Sequence, residues 1–331
     1  MKRMLLTLLA ALGLIVPSLR AQEEPATPEN WADVAITEWY GTGTASTYTI
    51  TTAEQLAGLA KLVNEEDNTF EGKTITLSAN VDLAGKAWTP IGDKESKKYF
   101  KGTFIGQPAE GETQVFLSNL KIDALADADR EYQALFGAIE GATIKNLKVA
   151  GSVKAKNAAG IVARMNGGTN GSLIENCTNA VLVDGGTSKA GGIVCLTYGT
   201  CTIERCKNES AIGGAATGGL GGIVAYGNGN TTTIRECENV GDVGDEKARY
   251  AGGIVGYATG AGSIVEGCVN KGAIQAGTNV GGIAGISTGS WTIQGSTNEG
   301  EVTGVGGCTA GGIVGSNAAC LLYTSPSPRD A

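Results

Sequence analysis

Histidine is absent from all 331 residues. Its absence removes the general base of a Ser-His-Asp or Cys-His site. It also removes every zinc site built with imidazole, including H-E-x-x-H on a helix. Aromatic residues make up only 5% of the chain, too few to suit the aromatic-bearing blades of a propeller. Basic residues are outnumbered, 25 Lys and Arg against 33 Asp and Glu, for a net charge of −8. A phosphate backbone needs clustered cations, so no nucleic-acid partner is expected. Long apolar runs are scarce as well. One begins after Lys2 and Arg3, ends at Val16, and is followed by Pro17 and the small Ala21. It is shorter than the roughly 20 residues of a membrane-spanning helix and has the layout of a secretory signal peptide cleaved after Ala21. No transmembrane segment is expected. Export is, to the cell surface, the extracellular space or the periplasm.

Glycine, by contrast, is abundant: 52 residues without collagen's three-residue period, in a chain that is 42% apolar. That combination fits tightly turned β structure better than disorder. The glycines recur in a phrase. "AGGIVG" stands at 251–256 and again at 310–315, and aligning its relatives on their Ile gives Ile161, Ile193, Ile223, Ile254, Ile283 and Ile313. The steps are 32, 30, 31, 29 and 30 residues. A second phrase follows each of the first five: "IENCTN", "IERCKN", "IRECEN", "VEGCVN" and "IQGSTN". From its Cys or Ser to a β-branched residue (Val183, Ile212, Val243, Ile274, Val302) the distance is always six. The other intervals vary by two or three residues.

Constant spacing marks segments locked in register, and variable spacing marks loops. Each unit is expected to hold about three short strands, with Gly and Asn at the corners and no helical segment between them. The predicted fold is all-β: a right-handed parallel β-helix, or β-solenoid, of about 30 residues per coil, with coils roughly 4.8 Å apart. Asn179, Asn208, Asn239, Asn270 and Asn298 are expected to stack as a corner column, helped by the tolerance of Asn for left-handed backbone. Upstream, "TTAEQLAGLAKLVNE" reads as one amphipathic helix with a Thr51–Glu54 capping box and an apolar face of Leu56, Leu59, Ala60 and Val63. A solenoid needs a covered end, and this short N-terminal capping helix supplies one. At the other end "CLLYTSPSPRDA" breaks the repeat style and back-translates to a sequencing adapter, so residues 320–331 are read as an artefact of assembly on a truncated chain. The organisation is thus a signal peptide at 1–21, a cap with one helix at 22–70, irregular first coils at 71–157 and regular repeats at 158–319.

With "TAEQLAGLAKLVN", "GKTITLSANVDL", "WTPIG", "LSNLKI", "LFGAIEGATIKNL" and the GGIVG series in place, residues 45–319 resemble exported bacterial proteins carrying GLUG repeats, of a Bacteroidetes-like kind. The resemblance implies right-handed parallel β-helices on cell surfaces and beside some immunoglobulin-A-cleaving metallopeptidases. It is specific for architecture and not for activity, and the zinc peptidase motif of those enzymes is missing here.

Few residues suggest chemistry. "GISTG" at 285–289 matches the nucleophile-elbow pattern, but the elbow needs a strand-to-helix turn and a His base. Cys177, Cys206, Cys237 and Cys268 stand about one coil apart, which suits a ladder of packed thiols better than metal-binding pairs. Cys195 and Cys201 flank "LTYGT" and are expected to close that loop as a disulfide, leaving Cys308 without a partner. Asp127, Asp129 and Glu131 alternate in "DADRE" without the glycine of a calcium loop. Glu175, Glu204 and Glu266 are expected in one row, interrupted by Arg235. No catalytic, cofactor-binding or metal residue is assigned. The sequence alone therefore points to an exported, non-enzymatic stalk, adhesin or display scaffold whose partner is an extracellular glycan or a host or bacterial surface protein. The alternatives are a β-helical polysaccharide lyase or hydrolase, and the accessory arm of a peptidase whose catalytic domain lies beyond this sequence.

Overall fold

The computed structural model describes residues 29–228, 231–317 and 322–324. The signal peptide and most of the C-terminal tail lie outside the described residues. Within them the chain winds as a parallel β-solenoid of stacked coils about 30 residues apart. Four sheets run along the stack, sheets I and IV from the first coils and sheets II and III from Tyr132 and Phe136 onward. Sheet I has ten strands and sheets II and III have seven each; sheet IV forms a twelve-strand set. Every pairing between named strands is parallel, and it joins a strand to its equivalent one coil away, as in Thr202↔Thr233 and Ile203↔Ile234.

A regular coil contains five short strands where about three were expected. In one coil these are Leu220–Gly221 in sheet II, Val224–Asn228 in sheet III, Thr232–Arg235 in sheet I, and Glu238–Asn239 and Val243–Gly244 in sheet IV. The glycine phrase is itself the reason for the higher count, because Gly222 and Ile223 break it into two strands that meet at a bend. A Cβ on Gly222 would lie 2.1 Å from the carbonyl oxygen of Gly253 in the next coil. Only hydrogen fits there.

The core is one continuous column of apolar side chains. Ile161, Ile193, Ile223, Ile254 and Ile283 are fully buried, as are Ile144, Ile174, Ile203 and Ile234 of sheet I. Each such side chain contributes roughly 1.5–3 kcal/mol on burial, and identical positions repeat the gain coil after coil.

The first coils depart from the pattern. Strand Thr47–Ile50 already belongs to sheet I and pairs with Thr74–Leu77, so α1 (Ala53–Asn64) is inserted between the first two coils. The helix begins one residue later than the expected box. Thr52 is the N-cap, accepting from the Gln55 amide, and the Gln55 side chain accepts in turn from the Thr51 amide at 2.7 Å. Leu56, Leu59, Ala60 and Val63 are buried, in the same core cluster as Ile50 and Ile75. Aromatic rings concentrate at this end, where Tyr40, Phe70, Phe100 and Phe136 follow one another at centroid distances of 5.0, 6.1 and 5.6 Å. Of the C-terminal tail, Leu322–Thr324 runs as a strand beside Ser290–Gln294. No helix among the described residues is long and apolar enough to cross a membrane.

Candidate binding face

Two of the repeated columns are structural. Asn179, Asn208, Asn239 and Asn270 are fully buried. Each side-chain amide donates to the Asn Oδ1 of the next coil, at 2.7, 2.7, 2.7 and 2.6 Å down to Asn298. The other N–H closes on a carbonyl two residues on, such as Gly241 for Asn239 at 2.8 Å. These Asn sit in strands. The left-handed turn lies elsewhere, on the residue before the Cys or Ser position: Asn176, Arg205, Glu236, Gly267 and Gly295 have φ of 50°, 51°, 53°, 59° and 57°. That corrects the expected corner role of the Asn column.

The thiols of Cys177, Cys206, Cys237 and Cys268 are free and buried. Each donates to a carbonyl of sheet I one coil back, Ile144, Ile174, Ile203 and Ile234, at 3.6–3.9 Å. Burial pushes the Cys206 thiol well above its ordinary range. Cys195 and Cys201 are also free, which corrects the expected disulfide. Cys201 belongs to the main core, whereas Cys195 sits in a separate small cluster with Ala134, Ala159, Ala163 and Ala225. The strand between them carries the two thiols to different sides of the wall. Burial raises both to about 12, so neither is a ready thiolate. Cys308 is free and partly exposed.

The outer row of sheet I mixes charges of both signs, Glu175↔Glu204↔Arg235↔Glu266. Lys145 and Arg205 bind Glu175, and Arg205 and Arg235 bind Glu204. Sheet IV carries a similar zipper, with Lys148 on Glu209 at 2.8 Å and Lys271 on Glu238 at 2.5 Å. Lys145 and then Arg205 hold the Glu175 carboxyl below its usual range, and Lys148 and Lys271 do the same for Glu209 and Glu238. A depressed carboxyl stabilises the fold above the unfolded pKa and loses that contribution as pH falls through the folded value. Melting temperature is therefore expected to fall as pH drops below about 4.5, the ordinary glutamate value. Glu175→Gln should shrink that acid dependence by removing the contribution present at pH 7, so that the variant melts somewhat lower than the parent at neutral pH and converges with it in acid. An equal acid slope in the variant would show that the row does not titrate with folding.

The remaining outward row has a different composition. In sheet III, Arg164, Leu196, Tyr226, Tyr257 and Ile286 are register partners. Tyr198 stands beside this row, 55% exposed. In sheet II the facing row includes Asn157, Lys189 and Tyr250. The two rows touch: Tyr226 meets Tyr257 at 5.0 Å, Tyr257 meets Tyr250 at 5.0 Å, and Lys189 lies 5.7 Å from the Tyr226 ring. Arg164 lies against Tyr198 and Arg249 against Tyr250, at 5.3 and 5.0 Å. Sequence reasoning missed this face. Its signal was present, since each row member stands three residues after an opening Ile, but the residue type changes from coil to coil.

Two clefts lie nearer the N-terminus. One, of about 240 Å³, is lined by Glu71, Lys101, Glu140 and Asn170, with Lys101 bound to Glu140 at 2.7 Å. The other, of about 290 Å³, is lined by Asp93, Asp129, Arg130 and Tyr132. Burial, with Asp93 beside it, pushes the neighbouring Glu95 carboxyl up to about 7. Within "DADRE", Asp127 accepts from the Asp129 amide at 2.9 Å and Glu131 pairs with Lys156. Among the described residues no three His, Cys, Asp or Glu side chains are grouped as metal ligands. Ser287 of "GISTG" is buried, donates to the Gly289 carbonyl, and leads into another strand instead of a helix.

No family model matches this chain, and no curated protein does. Among solved structures, a candidate immunoglobulin A1 protease from Bacteroides ovatus superposes with a TM-score of 0.53 at 20% identity, over 84% of this chain and 77% of that one. A second structure, an immunoglobulin A1 protease, gives a TM-score of 0.50 at 17% identity, covering 80% of this chain and 17% of that chain. At these identities the likeness concerns the fold. It also overturns the expectation of a non-enzymatic chain, since both neighbours are described as proteases. The plain Gly, Ser, Thr and Asn coils on which that expectation rested are what stacking requires of any such solenoid, whatever chemistry accompanies it.

Proposed function

We propose that this chain is the β-solenoid of an exported, peptidase-related protein, and that its aromatic and cationic face holds the macromolecule on which such a protein acts. The observation that carries this reading is the joined rows of sheets II and III. Trp, Tyr and Arg are the residues enriched at binding hot spots, and here Tyr and Arg gather on a face outside the ion-pair zippers of sheets I and IV. The two protease-named structures of the same fold support the relation to peptidases. The "MKRMLLTLLAALGLIVPSLRA" start supports export, and the GLUG-type phrases fit a surface protein of that kind.

Immunoglobulin A1 is the first partner to test. Immobilised immunoglobulin A1 is expected to capture the purified chain, and Tyr226→Ala with Tyr257→Ala should weaken capture at least ten-fold, with the melting transition kept. Absence of capture, or capture indifferent to both substitutions, would remove this reading.

A further inference from the structure

We propose that the face where sheets II and III meet binds an acidic glycan, a chain of carboxylate-bearing sugars laid along the solenoid axis. The inference rests on the reading of this face as the binding face and assigns the chemistry of what it takes. Three observations carry it.

The first is charge. Arg164, Lys189 and Arg249 lie on or beside this face, and none of them has an ion-pair partner among the described residues. On sheets I and IV the cations Lys145, Arg235, Lys148, Lys207 and Lys271, with Arg205 at the turn between them, are matched to glutamates, while Lys121 and Lys154 in the first strands of sheet IV are not. In a chain of net charge −8, an unneutralised cationic strip is the complement of an anion. The nearby Glu140 does not offset it, being bound to Lys101.

The second is the ring chemistry. Each of the three cations lies against a tyrosine ring, so charge and apolar ring surface stand side by side on this face. A sugar acid presents the matching pair, a C–H face that packs on a ring and a carboxylate that takes a cation. Beneath them the buried Asn157 holds Lys189 in place, its Oδ1 accepting from Lys189 and Ser188.

The third is the period. Row members repeat once per coil, at the roughly 4.8 Å spacing of paired strands. An extended peptide lying along the axis would show one face every two residues, about 6.7 Å, and would drift out of step within a few coils. A glycan whose ring repeat is close to the strand spacing would keep successive rings in step with successive coils. Nucleic acid would want a denser cationic track than three side chains.

The test titrates the full chain with oligogalacturonate, its neutral carboxyl-reduced counterpart, poly-glutamate and a single-stranded oligonucleotide, followed by calorimetry. Oligogalacturonate is expected to bind at least ten-fold more tightly than the other three, and more weakly as salt rises. Lys189→Gln and Arg164→Gln should each reduce its affinity about ten-fold. Lys271→Gln, on the zipper of sheet IV, should leave it unchanged, with circular dichroism showing all three variants folded. No binding of the acidic sugar, equal binding of the neutral sugar, or equal binding of poly-glutamate or oligonucleotide would overturn the proposal. So would affinity untouched by Lys189→Gln and Arg164→Gln. Failure of the function proposed above remains separately visible: oligogalacturonate binding that obeys these variants, without capture by immunoglobulin A1, leaves the glycan site standing and removes that protein as partner.

Discussion

Gly253→Val should cost the regular coils most of their stability. A Cβ at this position would lie 2.2 Å from the Gly282 carbonyl oxygen and 2.3 Å from the Asn270 Cγ. Neither neighbour can yield cheaply. Gly282 is tied by its own amide to the Gly311 carbonyl, and Asn270 holds Asn239 on one side and Asn298 on the other. Overpacking of a tight core costs about 1–3 kcal/mol, and pushing a buried amide off its partners adds about 1–3 more. Against a domain stability of about 5–15 kcal/mol, the expected result is a melting temperature lowered by many degrees or a chain that does not fold. Gly312 occupies the same place in the last phrase, yet a Cβ there meets nothing within 4 Å among the described residues. Gly312→Ala is therefore expected to melt like the parent. Thermal unfolding of the two variants followed by circular dichroism checks the pair, and equal behaviour would mean that the glycine phrase is not held by the coil that follows it.

How much of this was legible in the sequence depends on what a period can carry. The constant six-residue interval from Cys177 to Val183 and its equivalents fixed which segments pair, and the structure has them in register, as in Val183↔Ile212. A pattern does not say which of several nearby residues makes a turn, so the left-handed position was assigned to Asn179 when Asn176 holds it. The same ambiguity moved the helix cap from Thr52 to Thr51. Cys195 and Cys201 are close in sequence, but nothing in the spacing told that one faces the main core and the other a separate cluster. The binding face was hidden for a different reason. Arg164, Leu196, Tyr226, Tyr257 and Ile286 share a place in the repeat but not a residue type, and repeat reading rewards sameness. Residues that hold the coils together must recur; residues that meet a ligand need not. The absence of active-site residues in the recurring phrases was for that reason a poor guide to whether the protein is related to enzymes.

That division of labour is the central claim, and Asn239 and Tyr226 test it side by side. Asn239 is buried, accepts from Asn208, and donates to Asn270 and to the Gly241 carbonyl. Asn239→Ala leaves the Asn208 amide one acceptor short and the Asn270 oxygen one donor short, in a place water does not reach, at a cost of about 1–3 kcal/mol. Tyr226 stands outward on the face of sheet III, and Tyr226→Ala removes ring surface without opening the core. The measurement is the melting temperature and the oligogalacturonate affinity of both variants. Asn239→Ala should melt several degrees lower and bind as the parent does at a temperature where it is folded, while Tyr226→Ala should melt within a degree or so of the parent and lose at least ten-fold in affinity. An Asn239→Ala protein that melts like the parent, or a Tyr226→Ala protein that loses stability and keeps its affinity, would contradict the account.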